Sequence, residues 1–266
     1  MSDYQLRFGG IARLYGTDGA TLLKNAHFCV IGIGGVGSWA AEALARNGVG
    51  QLTLIDLDDI CTTNVNRQIH ALSNTVGQSK VEVMAERILQ INPECKVTQV
   101  EDFVTLDNLK ALLSNQFDYV VDAIDSVKIK SAMINHCKRN KQPIITVGGA
   151  GGQTDPSKIA ITDLSQTYQD PLLAKVKNQL RREYGFPAAD IKKASKRKFG
   201  IDAVFSTEQL VYPTDQGDVC HAKQSSDGVM RLDCSGGFGA ATHVTASFAF
   251  FAVSKTIAKY LAKHQR

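Results

Sequence analysis

No two of the six cysteines (Cys29, Cys61, Cys95, Cys137, Cys220, Cys234) stand in a C-x-x-C pair. Their scatter excludes a zinc knuckle and a disulfide frame, and predicts free thiols in a reducing compartment. No apolar leader opens the chain: MSDYQLRFGG is polar, which predicts a cytoplasmic protein. No long hydrophobic run exists either. The nearest approach, 236–257, is interrupted by Ser, Thr, His243 and Lys255, so it predicts a buried C-terminal helix and no membrane span. The six histidines show no metal-ligand spacing, and no internal repeat is visible.

What is present is an ordinary core. Apolar residues make up 44% of 266 and charged residues 21%, the profile of a soluble globular protein of one large domain or a domain with an appendage. The net charge is only +4, but it is uneven. Positions 170–200 hold nine basic and three acidic residues, so that stretch carries +6 and the remainder −2. A basic patch on a nearly neutral body points to an anionic partner, although a solvated helix and loop is the plainer reading.

Strand-like and helix-like segments alternate through the first two-thirds. Apolar runs predict strands at 27–33, 51–56, 96–100, 119–124 and 143–147. Helical periodicity predicts helices at 35–47, 77–90, 106–114 and 127–140. This is the pattern of a doubly wound, mostly parallel α/β sheet. After the glycine run at 148–152 the pattern changes: strands at 159–163, 203–206 and 209–212, a basic helix at 171–184, and a polar basic loop at 185–200. The boundaries expected are an N-terminal helical arm at 1–26, a nucleotide-binding α/β part at 27–155 and a C-terminal part at 156–266, within one continuous domain.

Gly32-Ile33-Gly34-Gly35-Val36-Gly37 lies between a strand and a helix, the context in which such a motif binds phosphate. Asp56 ends the next strand, 19 residues after Gly37, where a carboxylate accepts ribose hydroxyls. To this point an NAD-dependent oxidoreductase fits equally well. Arg67 and Lys80 then add two cations, which a departing pyrophosphate needs more than a bound dinucleotide does. Asp125, just past the fourth strand, sits where an oxygen ligand for Mg²⁺ belongs.

The glycine loop, Asp56-Leu57-Asp58, Asn64-Val65-Asn66-Arg67-Gln68, Lys80 and Asp125 together resemble the E1-like superfamily: the ubiquitin-activating enzymes and their bacterial relatives that adenylate sulfur carriers. The stretch from Arg7 to Gly16 resembles that family's arginine-rich N-terminal motif, with Gly10 standing where its second arginine falls; Arg7 and Arg13 remain to take that role. The zinc-binding members' C-x-x-C pairs are missing. The resemblance covers nearly the whole chain. It is nearest to the branch that dehydrates N6-threonylcarbamoyladenosine in the tRNA anticodon loop, through Arg67 to Leu72, Val121 to Ser126, Val147 to Gly152, Val204 to Glu208 and Asp233 to Ala241.

The resemblance implies an E1-type adenylation fold with a long buried C-terminal helix, ATP and Mg²⁺ as cofactors, and tRNA as partner. It also implies a homodimer, with the C-terminal part serving substrate and dimerisation, and links to cysteine desulfurase and sulfur-acceptor proteins. Gly32, Gly34, Gly35, Gly37, Asp56, Asp58, Asn64, Asn66, Arg67, Gln68 and Lys80 would hold the nucleotide. Arg67, Lys80, Asp125 and Arg13 would serve the chemistry, with Asp125 on the metal. Cys234, in the glycine-rich DCSGGFG turn, is read either as a packed thiol or as an acceptor of sulfur or acyl. The chemistry implied is adenylation of a carboxylate followed by ring closure, with transfer to a ubiquitin-like sulfur carrier as the other adenylating reading. Cys29 and Trp39 are expected in the core, Trp39 packing the first helix on the sheet.

Overall fold

A computed structural model describes residues 2–114, 117–188, 198–214, 216–221 and 238–265. The chain opens with α1 (Asp3–Asn25), started by a capping box between Ser2 and Gln5 and kinked at Gly16, where φ is +78°. The alternating part follows: β1 (His27–Ile31), α2 (Gly37–Arg46), β2 (Gln51–Ile55), α3 (Lys80–Ile91), β3 (Lys96–Val100), α4 (Leu109–Leu112), β4 (Tyr119–Asp122), α5 (Val127–Arg139) and β5 (Ile144–Val147). Then come β6 (Ile159–Asp163), α6 (Pro171–Tyr184), β7 (Asp202–Ser206), β8 (Tyr212–Pro213), β9 (Val219–Cys220) and α7 (Thr242–His264).

Seven strands form one sheet in the order β3-β2-β1-β4-β5-β7-β6. All neighbours are parallel except β6 and β7, which run antiparallel with Ile159 opposite Ser206. The order reverses between β1 and β4, and ligands bind at such a switch point, outside the strands' carboxyl ends.

Alternation across the strands feeds two apolar layers. Phe28, Val30, Tyr119, Val121, Ile145 and Val147 face α2, α3 and α7. Cys29, Ile31, Val120 and Ile144 face α5 and α6. Each fully buried Val, Leu, Ile or Phe contributes ~1.5–3 kcal/mol, so a sheet covered on both faces is the main source of stability. Small residues let α2 and α7 approach closely: Ala40, Ala41 and Ala45 meet Ala249 and Ala252 in the same cluster.

Four expectations need correction, the first being the helix expected at 106–114, which is reduced to Leu109–Leu112. The helix expected from 77 starts at Lys80, because Gly77 has φ +87° and 77–79 are held as a turn by Gly77 N–H on Ile60 O and Ile60 N–H on Gln78 O. Of the strand expected at 209–212 only Tyr212 lies in a strand, β8, which among the described residues pairs with β9. The last helix starts at Thr242, since Ala241 before it is extended and Ala240 O is held by Asn66 Nδ2–H. No helix among the described residues is long and apolar enough to cross a membrane. Trp39 is half-buried and packs against the core cluster that joins α2, the sheet and α7; its ring meets Phe250 edge-on and its Nε1–H donates to Arg67 O at 3.0 Å. Cys29 is fully buried, as expected.

Candidate active site

A cavity of about 1180 Å³ opens along the carboxyl edge of the sheet. Its lining follows the strand order: Asp102, Phe103 and Val104 after β3, Asp56 and Asp58 after β2, Gly32, Gly34, Gly35 and Val36 after β1, Asp125 and Ser126 after β4, and Gly148 to Gly151 after β5. Strands lie about 4.8 Å apart, so this rim is roughly 19 Å long. A smaller hollow of about 440 Å³ is lined by Arg7, Arg46 and Arg87. Those arginines are already paired, Arg7 with Asp3 and the other two with the buried Glu42.

The glycines divide the work. Gly32 has φ +87°, and at Gly37 a Cβ would lie 1.7 Å from Gly32 O; these two make the turn possible. At Gly34 a Cβ would meet only Gln68 Nε2, at 3.9 Å, so that position leaves space for a ligand. The start of α2 therefore faces the cavity with open room, and a helix N-terminus favours an anion there.

Asp56 is buried behind the loop. One oxygen accepts from Ile33 N–H at 2.6 Å and the other from Asp58 N–H at 2.9 Å. A carboxylate offers about four acceptor sites, so capacity for a ligand hydroxyl remains. Burial pushes its pKa up, opposed chiefly by Lys80. Lys80 starts α3 with its side chain 7% exposed, and its Nζ is held 2.7 Å from Asp58 Oδ2. Arg67 lays its stem against Gly35 and donates from Nη1 to Thr63 O at 2.7 Å and Asn66 Oδ1 at 3.0 Å. Its carbonyl is fixed by Trp39 and by Thr245 of α7. Gln68 lines the cavity with its Oε1 buried and unpartnered, an acceptor that fits a donating ligand.

The structure brings most of the expected residues to this one cavity but not all. Asn64 is turned away: its Oδ1 accepts from Cys61 N–H at 3.0 Å and shapes the 61–64 turn. Asn66 reaches the cavity and also donates to Ala240 O at 2.7 Å, while Thr242 Oγ1 donates to Asn66 O. Arg13 is exposed on α1 with its guanidinium folded back over Gly9 and Gly10, away from this chain's own cavity. Cys234 lies outside the described residues.

Asp125 is exposed on the cavity wall. Among the described residues no group of three or more His, Cys, Asp or Glu is arranged to hold a metal. Mg²⁺ shared with phosphates needs one or two protein carboxylates, and Asp125 offers one.

Sequence reasoning missed the support beneath the rim. Asp122 and Lys130 are both fully buried and paired at 2.8 Å. The other Asp122 oxygen accepts from Thr146 Oγ1 at 2.7 Å, its register partner on β5. Burial raises the Asp122 pKa, with Lys130 the main opposing influence. Asp170, buried at the start of α6, caps Leu173 N–H at 2.8 Å and also holds Gly149 N–H at 3.0 Å. The one signal was a carboxylate inside the apolar run at 119–124. Phe238, within the DCSGGFG stretch, carries no signal of its own in the sequence. Its ring packs on Tyr212 with centroids 5.1 Å apart, and Gly152 N–H donates to Gly239 O at 2.7 Å. A Cβ at Gly151 or Gly152 would come within 2.9 or 2.7 Å of Phe238, which accounts for those two glycines.

The chain and its fold have close counterparts. The chain is 58% identical over 263 residues to tRNA threonylcarbamoyladenosine dehydratase of Escherichia coli (strain K12), covering 99% of this chain and 96% of that one. It is 54% identical to the Haemophilus influenzae protein of the same name, with the same coverage. The crystal structure of E. coli tRNA N6-threonylcarbamoyladenosine dehydratase in complex with ATP superposes with a TM-score of 0.87 at 55% identity, covering 100% of this chain and 98% of that one. Residues 9–266 match the ThiF family, and the chain belongs to it.

Proposed function

We propose that this protein uses ATP to dehydrate N6-threonylcarbamoyladenosine in tRNA through a carboxyl-adenylate. The observation that carries the reading is the single rim on which the glycine loop, Asp56, Arg67, Lys80 and Asp125 line one cavity. It is supported by the near full-length likeness to proteins that bear this name.

Asp56 takes the ribose, which sets the triphosphate over the glycine loop toward Arg67 and Lys80. The substrate carboxylate attacks the α-phosphorus, and the bond to the β,γ-pyrophosphate breaks. Charge builds on the leaving oxygens, where the Lys80 ammonium and the helix N-terminus stabilise it; removing one such donor costs ~10²–10³ in rate. Asp125 would hold Mg²⁺, which supplies charge neutralisation on the phosphates when bound. A nucleophilic group of the same modification then attacks the activated carbonyl, a ring closes and AMP departs. An intramolecular nucleophile has a high effective concentration, so no enzyme thioester is needed. Binding of tRNA would use Lys175 and Arg182, exposed on α6. We further propose a cytoplasmic homodimer built from one continuous domain, in which the Arg13 region serves the neighbouring protomer, with sulfur-transfer proteins as further partners.

One assay tests the reading. The protein is incubated with ATP and either threonylcarbamoyl-modified tRNA or a carrier ending in Gly-Gly, and AMP and pyrophosphate are measured. Release that depends on the modified tRNA supports it. Release that depends only on the carrier assigns sulfur-carrier adenylation instead, and NAD turnover without AMP overturns both.

A further inference from the structure

The cavity is larger than one nucleotide site and its two ends differ in chemistry. Asp56, Arg67 and Lys80 gather at the β2 and β1 end. Beyond β4 the described lining residues carry no charge: Gly148 to Gly151, then Pro171, Leu172, Leu210 and Phe238. With the ribose on Asp56 and the phosphates on the β1 loop, this end is left for the acid. The one aromatic ring among those described residues is rigidly backed. Phe238 rests on Tyr212, on the Cβ-less faces of Gly151 and Gly152, and on a chain segment tied to β5's exit by the Gly152–Gly239 hydrogen bond. The ring remains partly exposed to the cavity.

We infer that Phe238 is the stacking platform for the purine that carries the reacting carboxylate. The Gly148–Gly151 backbone is then the rail along which the acyl chain reaches the α-phosphorus near Asp125. This rests on the function proposed above. A ring without hydrogen-bonding groups reads any base by its face, so Phe238 supplies affinity, while the modification and its carboxylate supply selection. At Gly149 a Cβ would meet nothing within 4 Å, so the backbone there is open to an amide-bearing chain at the sheet rim.

The test compares Phe238→Leu and Phe238→Trp with the unchanged protein, because leucine keeps apolar bulk and loses the flat face. ATP affinity is read by titration, and kcat/KM by AMP release on modified tRNA. Loss of one stacked base predicts a fall of roughly 5- to 150-fold in kcat/KM for Phe238→Leu, with ATP affinity unchanged and near-full recovery in Phe238→Trp. Equal kcat/KM in all three proteins overturns the stacking role while leaving the dehydratase reading intact. Equal loss in Leu and Trp variants, with melting temperatures lowered together, also overturns it in favour of a purely structural side chain. Absence of tRNA-dependent AMP from the unchanged protein overturns the underlying function instead.

Discussion

Asp122 and Lys130 form a fully buried ion pair, 2.8 Å apart, directly under the turn that carries Asp125. Removing one partner strands a charge. Lys130→Met is expected to destabilise the fold by about 3–5 kcal/mol, and Asp122→Leu combined with Lys130→Met to recover most of it. Denaturant unfolding checks both. Single and double variants of equal stability would show that the pair is not the source of the loss.

His70 is 1% exposed. Burial, then the Lys80 charge, lowers its pKa to about 4, while the Ile33 backbone pulls slightly upward. The unfolded chain has the ordinary value of ~6.5. The folded state thus binds fewer protons, so this stability is present above pH ~6.5 and is lost as pH falls from there toward 4. Between pH 7 and pH 5 the loss is about 2 kcal/mol. Replacing His70 with Phe should flatten that slope, as measured by unfolding at the two pH values. An unchanged slope would rule out His70 as its origin.

Gly37→Ala and Gly34→Ala should fail in different ways. The first forces a Cβ to 1.7 Å from Gly32 O, and overpacking of this kind costs at least about 1–3 kcal/mol. The second has room in the folded chain and intrudes only on the ligand. Melting should separate them: Gly37→Ala melts early, whereas Gly34→Ala melts normally and binds ATP more weakly. A normal melting curve for Gly37→Ala contradicts the packing argument.

Asp125→Ala should leave stability within about 0.5 kcal/mol, because the side chain is exposed, and lower AMP formation by at least ~10²-fold. Retention of the full rate would remove Asp125 from the chemistry.

Not every basic residue of α6 is free for an anionic partner. Lys177 donates to Thr167 O at 2.5 Å, and Arg181 lies over the Phe199 ring at 5.3 Å. Lys175→Ala is therefore expected to reduce the salt slope of tRNA binding by about one without touching stability. Arg181→Ala should lower the melting temperature. Identical salt slopes for Lys175→Ala and the unchanged protein would place the tRNA elsewhere.

The sheet was legible because parallel strands covered on both faces are unbroken apolar runs, as at 28–31, and helices such as α6 carry both a cap and a period. The rim residues were legible as types at the ends of strands, since topology alone brings Asp56, Lys80 and Asp125 to one edge. What stayed hidden depends on distance in the folded chain. Lys130 reads as an ordinary helical lysine until β4 supplies Asp122. Asn64 reads like its neighbour Asn66 until the turn points one inward and the other at the cavity. Phe238 gains a role only when Tyr212 and two glycines are set against it.

Trp39 is the only indole in the chain, and its N–H is bonded to the carbonyl of Arg67, whose stem rests on Gly35. Nature has thereby wired a fluorophore to the loop that meets the phosphates. Filling of the pocket is therefore expected to shift the ultraviolet emission of unlabelled protein, and a spectrum unmoved by saturating ATP would show that Arg67 stays still on binding.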